Sequence, residues 1–127
     1  MTNRLGEAAT ANYVLLTTFR KDGTPVATPV WAVEHADKLY VWTVTDSWKV
    51  KRIRRNGEVT VQACNARGGA PHGAVVSGTA RLLDGGETDQ VRSWLRRKYW
   101  LTGPLVLLAS NLRRGKDGTI GIEITPA

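Results

Sequence analysis

The sequence predicts a small antiparallel β-barrel, closed or split, carrying a few helices. Three observations carry this reading. Six segments are rich in β-branched and aromatic residues, short turn signals separate most of them, and helical spacing is confined to one stretch after the third strand and two after the fifth. An open sheet with its helices on one side accounts for the same pattern and stays open as the alternative.

The first strand is "YVLLTTF" (13–19), and "RKDGT" (20–24) supplies an Asp-Gly turn into "PVATPVWAVE" (25–34), so residues 13–34 read as a hairpin. Pro29 cannot donate to a ladder, which makes its strand an edge or leaves it unpaired there. The turn "HADK" (35–38) leads into "LYVWTVT" (39–45), with Leu39, Val41, Thr43 and Thr45 on one face and Tyr40, Trp42 and Val44 on the other. A short helix follows, with Asp46 or Ser47 as N-cap and Gly57 just past its end. "VTVQAC" (59–64) and "AVVSGTARLL" (74–83) are strands joined by the glycine-rich loop 65–73, and Gly78 marks a bulge or a close backbone approach. "TDQVRSWLRRKYW" (88–100) spaces Val91, Trp94, Leu95 and Tyr99 as an amphipathic helix opened by Thr88 or Asp89. "PLVLLASNLRRG" (104–115) begins at a helix-N1 proline and ends at glycine, which predicts a second, more buried helix. "TIGIEI" (119–124) is the last strand.

A chain of 127 residues fits one domain spanning 1–127, which at this length buries roughly two-thirds of its unfolded surface. A single cysteine, Cys64, excludes an intrachain disulfide and a cysteine-rich metal framework. The opening "MTNRLGEAATANY" has no apolar run of signal-peptide type, and "WLTGPLVLLA" is broken and too short to span a bilayer. The expected location is therefore the reducing cytoplasm, with no membrane partner.

The net charge is +7, and one stretch, "TVTDSWKVKRIRRNGEV" (43–59), accounts for most of it. Without Lys49, Lys51, Arg52, Arg54 and Arg55, 13 basic residues remain against 11 acidic ones. A patch so local points to a polyanion: nucleic acid, anionic lipid or a phosphorylated ligand. On a helix, Val50 and Ile53 form the apolar stripe, Lys51, Arg52, Arg54 and Arg55 spread over the opposite side, and Lys49 stands apart in the first turn. There the unpaired N–H groups and the positive end of the helix dipole attract anions. Thr43, Thr45 and Ser47 add hydroxyls from the strand end, so the arrangement suits a mononucleotide phosphate. The plain alternative is a solvated helix face.

The edge strand around Pro29, with Trp31 beside it, suits the flat face of a heterocycle, although aggregation-proof edges look the same. His35 in a turn and His72 in a glycine-rich loop have no second ligand at metal spacing, so no metal site is expected. Cys64 reads as a small core side chain. Neither a Walker loop nor a dinucleotide fingerprint is present. Five tryptophans (Trp31, Trp42, Trp48, Trp94 and Trp100) serve a core, a ligand pocket or a dimer interface.

"LLTTFRKDGTPVATPVWAV", "DKLYVWTVTDSWKVKRIRRNGEVTV" and "VSGTARLL" together resemble the pyridoxamine-phosphate-oxidase-like split barrels. More narrowly they resemble the actinobacterial branch that uses the deazaflavin coenzyme F420, and the C-terminal "RRKYW…GPLVLLASNLRRGKDGTIGIEITPA" extends the likeness over nearly the whole chain. The resemblance implies a mainly β fold with helices, a six-stranded antiparallel split β-barrel of the FMN-binding type. It further implies a homodimer with a cofactor in each of two interface grooves. Lys49 matches the lysine of "S-x-K" that contacts the cofactor phosphate, and Arg55 matches a basic residue close by. Thr28, Pro29, Val30 and Trp31 match the strand whose backbone lies along the ring, and Thr43 and Thr45 match the strand facing the phosphate end. Many relatives have arginine where this chain has Ser47 or Trp48, so the phosphate is expected to be held more weakly or shared with Lys51. The sequence stops at "ITPA" without the arginine-containing segment of true pyridoxamine-phosphate oxidases, which disfavours vitamin B6 oxidation.

FMN ends in one phosphate, whereas the deazaflavin coenzyme carries a phosphodiester and several glutamates. Five cations at 49–55, with "RRGK" (113–116), suit the longer anionic tail. The expected function is thus an oxidoreductase that passes hydride from reduced F420 to an electron-poor small molecule such as a quinone, enone or linear tetrapyrrole. An FMN-dependent enzyme and a non-catalytic flavin or deazaflavin carrier are the alternatives. No catalytic residue is identified: solvent, Tyr99 or a backbone group would have to supply a proton. A nucleic-acid-binding domain is disfavoured, because Tyr40 and Trp42 fall on a regular alternating face that packing explains.

Overall fold

The computed structural model describes residues 5–44, 47–65, 69–102 and 119–127. Six strands form one antiparallel ring: β1 (Tyr13–Phe19), β2 (Pro25–His35), β3 (Lys38–Val44), β4 (Glu58–Cys64), β5 (His72–Leu82) and β6 (Thr119–Pro126). They close in the order β1-β2-β3-β6-β5-β4, so the open-sheet alternative falls away and the split-barrel expectation holds. A 3-10 turn at Gly6–Ala9 precedes β1, α1 (Trp48–Arg55) links β3 to β4, and α2 (Gly85–Thr102) follows β5. The expected helix at 104–115 lies outside the described residues.

Alternation decides which side chains fill the barrel. Val14 and Leu16 of β1, Leu39 and Val41 of β3, Val59 and Val61 of β4, and Ile122 and Ile124 of β6 are buried together, and Ile53 of α1 joins them. The opposite faces of β2 and β3 hold Val33, Tyr40 and Trp42 under Val91 and Leu95 of α2. Tyr40 and Trp42 are therefore packed as their alternation predicts.

The ring opens between β2 and β3. β2 pairs with β3 only over Ala32–His35, whereas its earlier residues 25–31 pair with β1 alone. This leaves the edge that Pro29 demands. β3 continues to Val44 along β6 instead, so a split separates residues 25–31 from the end of β3, and α1 begins just after that end.

Several boundaries differ from the sequence expectation. α2 starts at Gly85, not at Thr88, because Asp84 and Glu87 form a reciprocal capping box: the Glu87 N–H donates to Asp84 Oδ1 at 2.8 Å and the Asp84 N–H to Glu87 Oε1 at 3.3 Å. Thr88 accepts a bond from the Gly121 N–H and so ties α2 to β6. His72 begins β5 and His35 ends β2, where it stacks on Trp94 with ring centroids 4.1 Å apart. At Gly78 the close approach is real, since a Cβ there would lie 2.7 Å from the Thr125 carbonyl. The bulge sits instead in the β4–β5 pairing, between Val61 and Ala63.

Candidate functional site

Ser47 stands in the N-cap position in an extended conformation (φ −69°, ψ 155°), yet its side chain does not cap the helix. Its hydroxyl is buried and has no hydrogen-bond partner among the described residues. On the β2 side of the split, the Thr28 hydroxyl is buried and unpartnered in the same way. Such groups cost about 1–3 kcal/mol each unless something pairs with them.

Lys49 lies half-buried in the first turn of α1, and no carboxylate within salt-bridge distance of it is found among the described residues. Burial, and then the positive charge of Arg52, lower its pKa below the usual lysine range. At the start of α1, an ammonium with no carboxylate partner among the described residues, the Ser47 hydroxyl and the free N–H groups suit an oxyanion, and Thr28 lies across the split on β2. The donor set fits a cofactor phosphate.

The other expected residues divide. Val30 faces the core, so only its backbone is available to a ligand, while Pro29 is exposed opposite Leu15. Trp31 stacks on Trp42 (centroids 6.1 Å, planes 9° apart) and tilts against Tyr13 at 6.3 Å, which builds an aromatic shelf on the outer faces of β1–β3. Thr43 is buried on the inward-facing side of β3 with Leu39 and Val41. Thr45 lies outside the described residues, as does "RRGK" at 113–116, and nothing is described of the Tyr99 side chain.

Lys51 and Arg55 lie on the outer side of α1, away from its apolar stripe. They line a groove of about 480 Å³ with Arg20, Lys21, Trp48 and Arg52. The sequence reading missed Arg20 and Lys21, because only the β1–β2 turn's position over α1 brings them there. It also missed Lys98 of α2, whose ammonium donates to the Ala11 and Ala32 carbonyls at 2.6 Å each and so fastens the helix next to Trp31.

A six-stranded split barrel with an oxyanion-suited split beside an aromatic shelf defines the class of protein. The sequence pattern of the pyridoxamine 5'-phosphate oxidase family matches residues 5–127, and the chain belongs to that family. No curated protein matches. Among solved structures, an F420 reductase is 21% identical, with 95% of this chain and 91% of that one covered at a TM-score of 0.64. A FAD-binding protein from Mesorhizobium loti is 22% identical, covering 95% and 86% at 0.61. HutZ, a haem storage protein from Vibrio cholerae, is 14% identical, covering 91% and 82% at 0.66. At these identities the likeness is one of fold.

Proposed function

We propose that this protein is an oxidoreductase that binds reduced coenzyme F420 and reduces an electron-poor small molecule, a quinone, enone or tetrapyrrole-like compound. The observation that carries the reading is that Thr28, Ser47 and Lys49, on the two sides of the split, have no hydrogen-bond or carboxylate partner among the described residues. Family membership and the F420 reductase among the structural neighbours support it. Lys49, Ser47 and Thr28 hold the phosphate, and the β2 backbone at residues 28–31 lies along the ring, with Trp31 fixed from behind by Trp42. When bound, the deazaflavin supplies two-electron hydride chemistry. The chain's own part is to bind, orient and exclude water. An FMN-dependent oxidoreductase is the second reading, favoured by the FAD-binding neighbour. A non-catalytic carrier differs only in lacking turnover.

The same reading takes the protein as a homodimer. Leu15, Thr17, Ala27, Pro29, Gln62 and Val75 form an uncharged outer face across β2, β1, β4 and β5, with Val75 59% exposed. A second copy on this face would cover the free edge of β2 and close the ring site. Titration with F420 and with FMN, followed by fluorescence, tests the cofactor: sub-micromolar FMN binding without F420 affinity overturns the first reading. Reduced F420 with a panel of quinones and enones then separates enzyme from carrier.

A further inference from the structure

We infer that Lys98 is a positioning residue for the split: through the Ala32 carbonyl it fixes where the β2 backbone of residues 28–31 stands, and so where a ring laid along that backbone sits. The position of the backbone stands on geometry alone; the position of the ring rests on the cofactor reading above.

β2 changes partner at Ala32. Trp31 is its last residue in register with β1, opposite Tyr13, and Ala32 is its first in register with β3, opposite Val41. Residues 28–31 therefore have β1 on one side and the split on the other, and Ala32 is the vertex from which that edge diverges from β3. The ladder is weak at the vertex. The Ala32 N–H reaches the Asn12 carbonyl at 3.4 Å, beyond the usual length of such a bond. The N–H and C=O of one strand residue point to the same side. On that side the Lys98 ammonium donates to the Ala32 carbonyl and to the Ala11 carbonyl, at 2.6 Å each. Two charge-assisted bonds thus join α2, β2 and the segment entering β1 at one nitrogen.

Docking of α2 does not call for this ammonium. Val91 and Leu95 are fully buried against Val33, Tyr40 and Trp42, the Gly121 N–H donates to Thr88, and Arg81 of β5 pairs with Glu87. An ammonium is costly to bury, and an apolar side chain at position 98 would dock the helix with no such cost. What the ammonium adds is direction, since it draws two particular carbonyls to one point. The effect passes to Trp31, the neighbour of Ala32. Its ring stacks on Trp42 and tilts against Tyr13, so a shift of the backbone at Ala32 moves the aromatic shelf as well. Misplacing a reacting centre by about 1 Å can slow a reaction by about a hundredfold.

Hydrogen exchange of the cofactor-free protein, compared among the parent, Lys98→Met and Val91→Ala, tests the backbone role. Val91→Ala loosens the same helix where it packs on Gly121 of β6 and leaves the Ala32 carbonyl bonded. At denaturant concentrations giving all three proteins equal global stability, the amides of residues 26–28, 30 and 31 should exchange about tenfold faster in Lys98→Met. In Val91→Ala they should match the parent. Equal acceleration in both variants, or none in Lys98→Met, overturns the inference, because Lys98 is then a helix anchor only. If near-UV circular dichroism shows Lys98→Met unfolded, Lys98→Gln, which keeps an N–H donor for one carbonyl, replaces it in the same comparison.

Titration with F420 and with FMN then tests the ring. Lys98→Met leaves Lys49 and Ser47 in place, so affinity should fall by no more than about threefold. The absorbance spectrum of the bound ring should differ from the parent's, and hydride transfer from reduced F420 to a quinone at saturating cofactor should slow by about tenfold or more. A parental spectrum and rate in Lys98→Met would overturn the role toward the ring. Failure of either cofactor to bind the parent would count against the cofactor reading, and the exchange result would still decide what Lys98 does to β2.

Discussion

Lys98 shows how one residue fixes a whole region. Its ammonium is largely buried, yet it satisfies the Ala11 and Ala32 carbonyls at once. Burial pulls its pKa down to about 8 from 10.5. Between those values the unfolded chain holds the proton and the folded chain has released it, so stability rises with pH across that window. Urea midpoints measured from pH 7 to 10 should show this rise in the parent and lose it in Lys98→Met. That variant should also be destabilised by about 1–3 kcal/mol for each carbonyl left unpaired. Lys49 is lowered for a related reason but has no acceptor among the described residues, and the proposed phosphate contact rests on that contrast. The sequence marked Lys49 through its place at a helix start after strand-end hydroxyls. It could not mark Lys98, whose partners are backbone groups 66 and 87 residues away.

At the scale of elements, periodicity located every described strand and both described α-helices, while their ends depended on local chemistry. α2 begins three residues earlier than its apolar spacing suggests because the Asp84–Glu87 box can open a helix through two glycines. Asp84→Ala should therefore cost about 1 kcal/mol in chemical denaturation. The β2–β3 turn places Ala36 at φ 53° and Asp37 at φ 65°, a two-residue mirror-image turn that ordinarily prefers Asn-Gly. Ala36→Gly should raise stability by about 0.5–1 kcal/mol, read as a higher thermal midpoint, since it relieves left-handed strain. Nothing in the pattern of "HADK" disclosed this strain, because the turn's length is set by the pairing of His35 with Lys38.

For the whole molecule, closure of the barrel follows from six alternating strands, but the opening between β2 and β3 follows from Pro29 and from β3 leaving β2 for β6. The edge at Pro29 was legible from its missing N–H, and the proposed phosphate contact at Lys49 comes from the resemblance through "S-x-K". The groove was not, because it joins residues 20–21 to residues 48–55 across the fold. Leu15→Arg, in the middle of the uncharged outer face, should turn the proposed dimer into a monomer by light scattering and weaken cofactor binding with it. The central claim is that Lys49, Ser47 and Thr28 hold a cofactor phosphate. Its most direct test compares the affinity of a phosphate-bearing ring with that of the same ring without phosphate, in the parent and in Lys49→Ala. The phosphate should improve binding to the parent by roughly tenfold to a hundredfold, and Lys49→Ala should erase most of that gain. An equal preference for the phosphate in both proteins would contradict it.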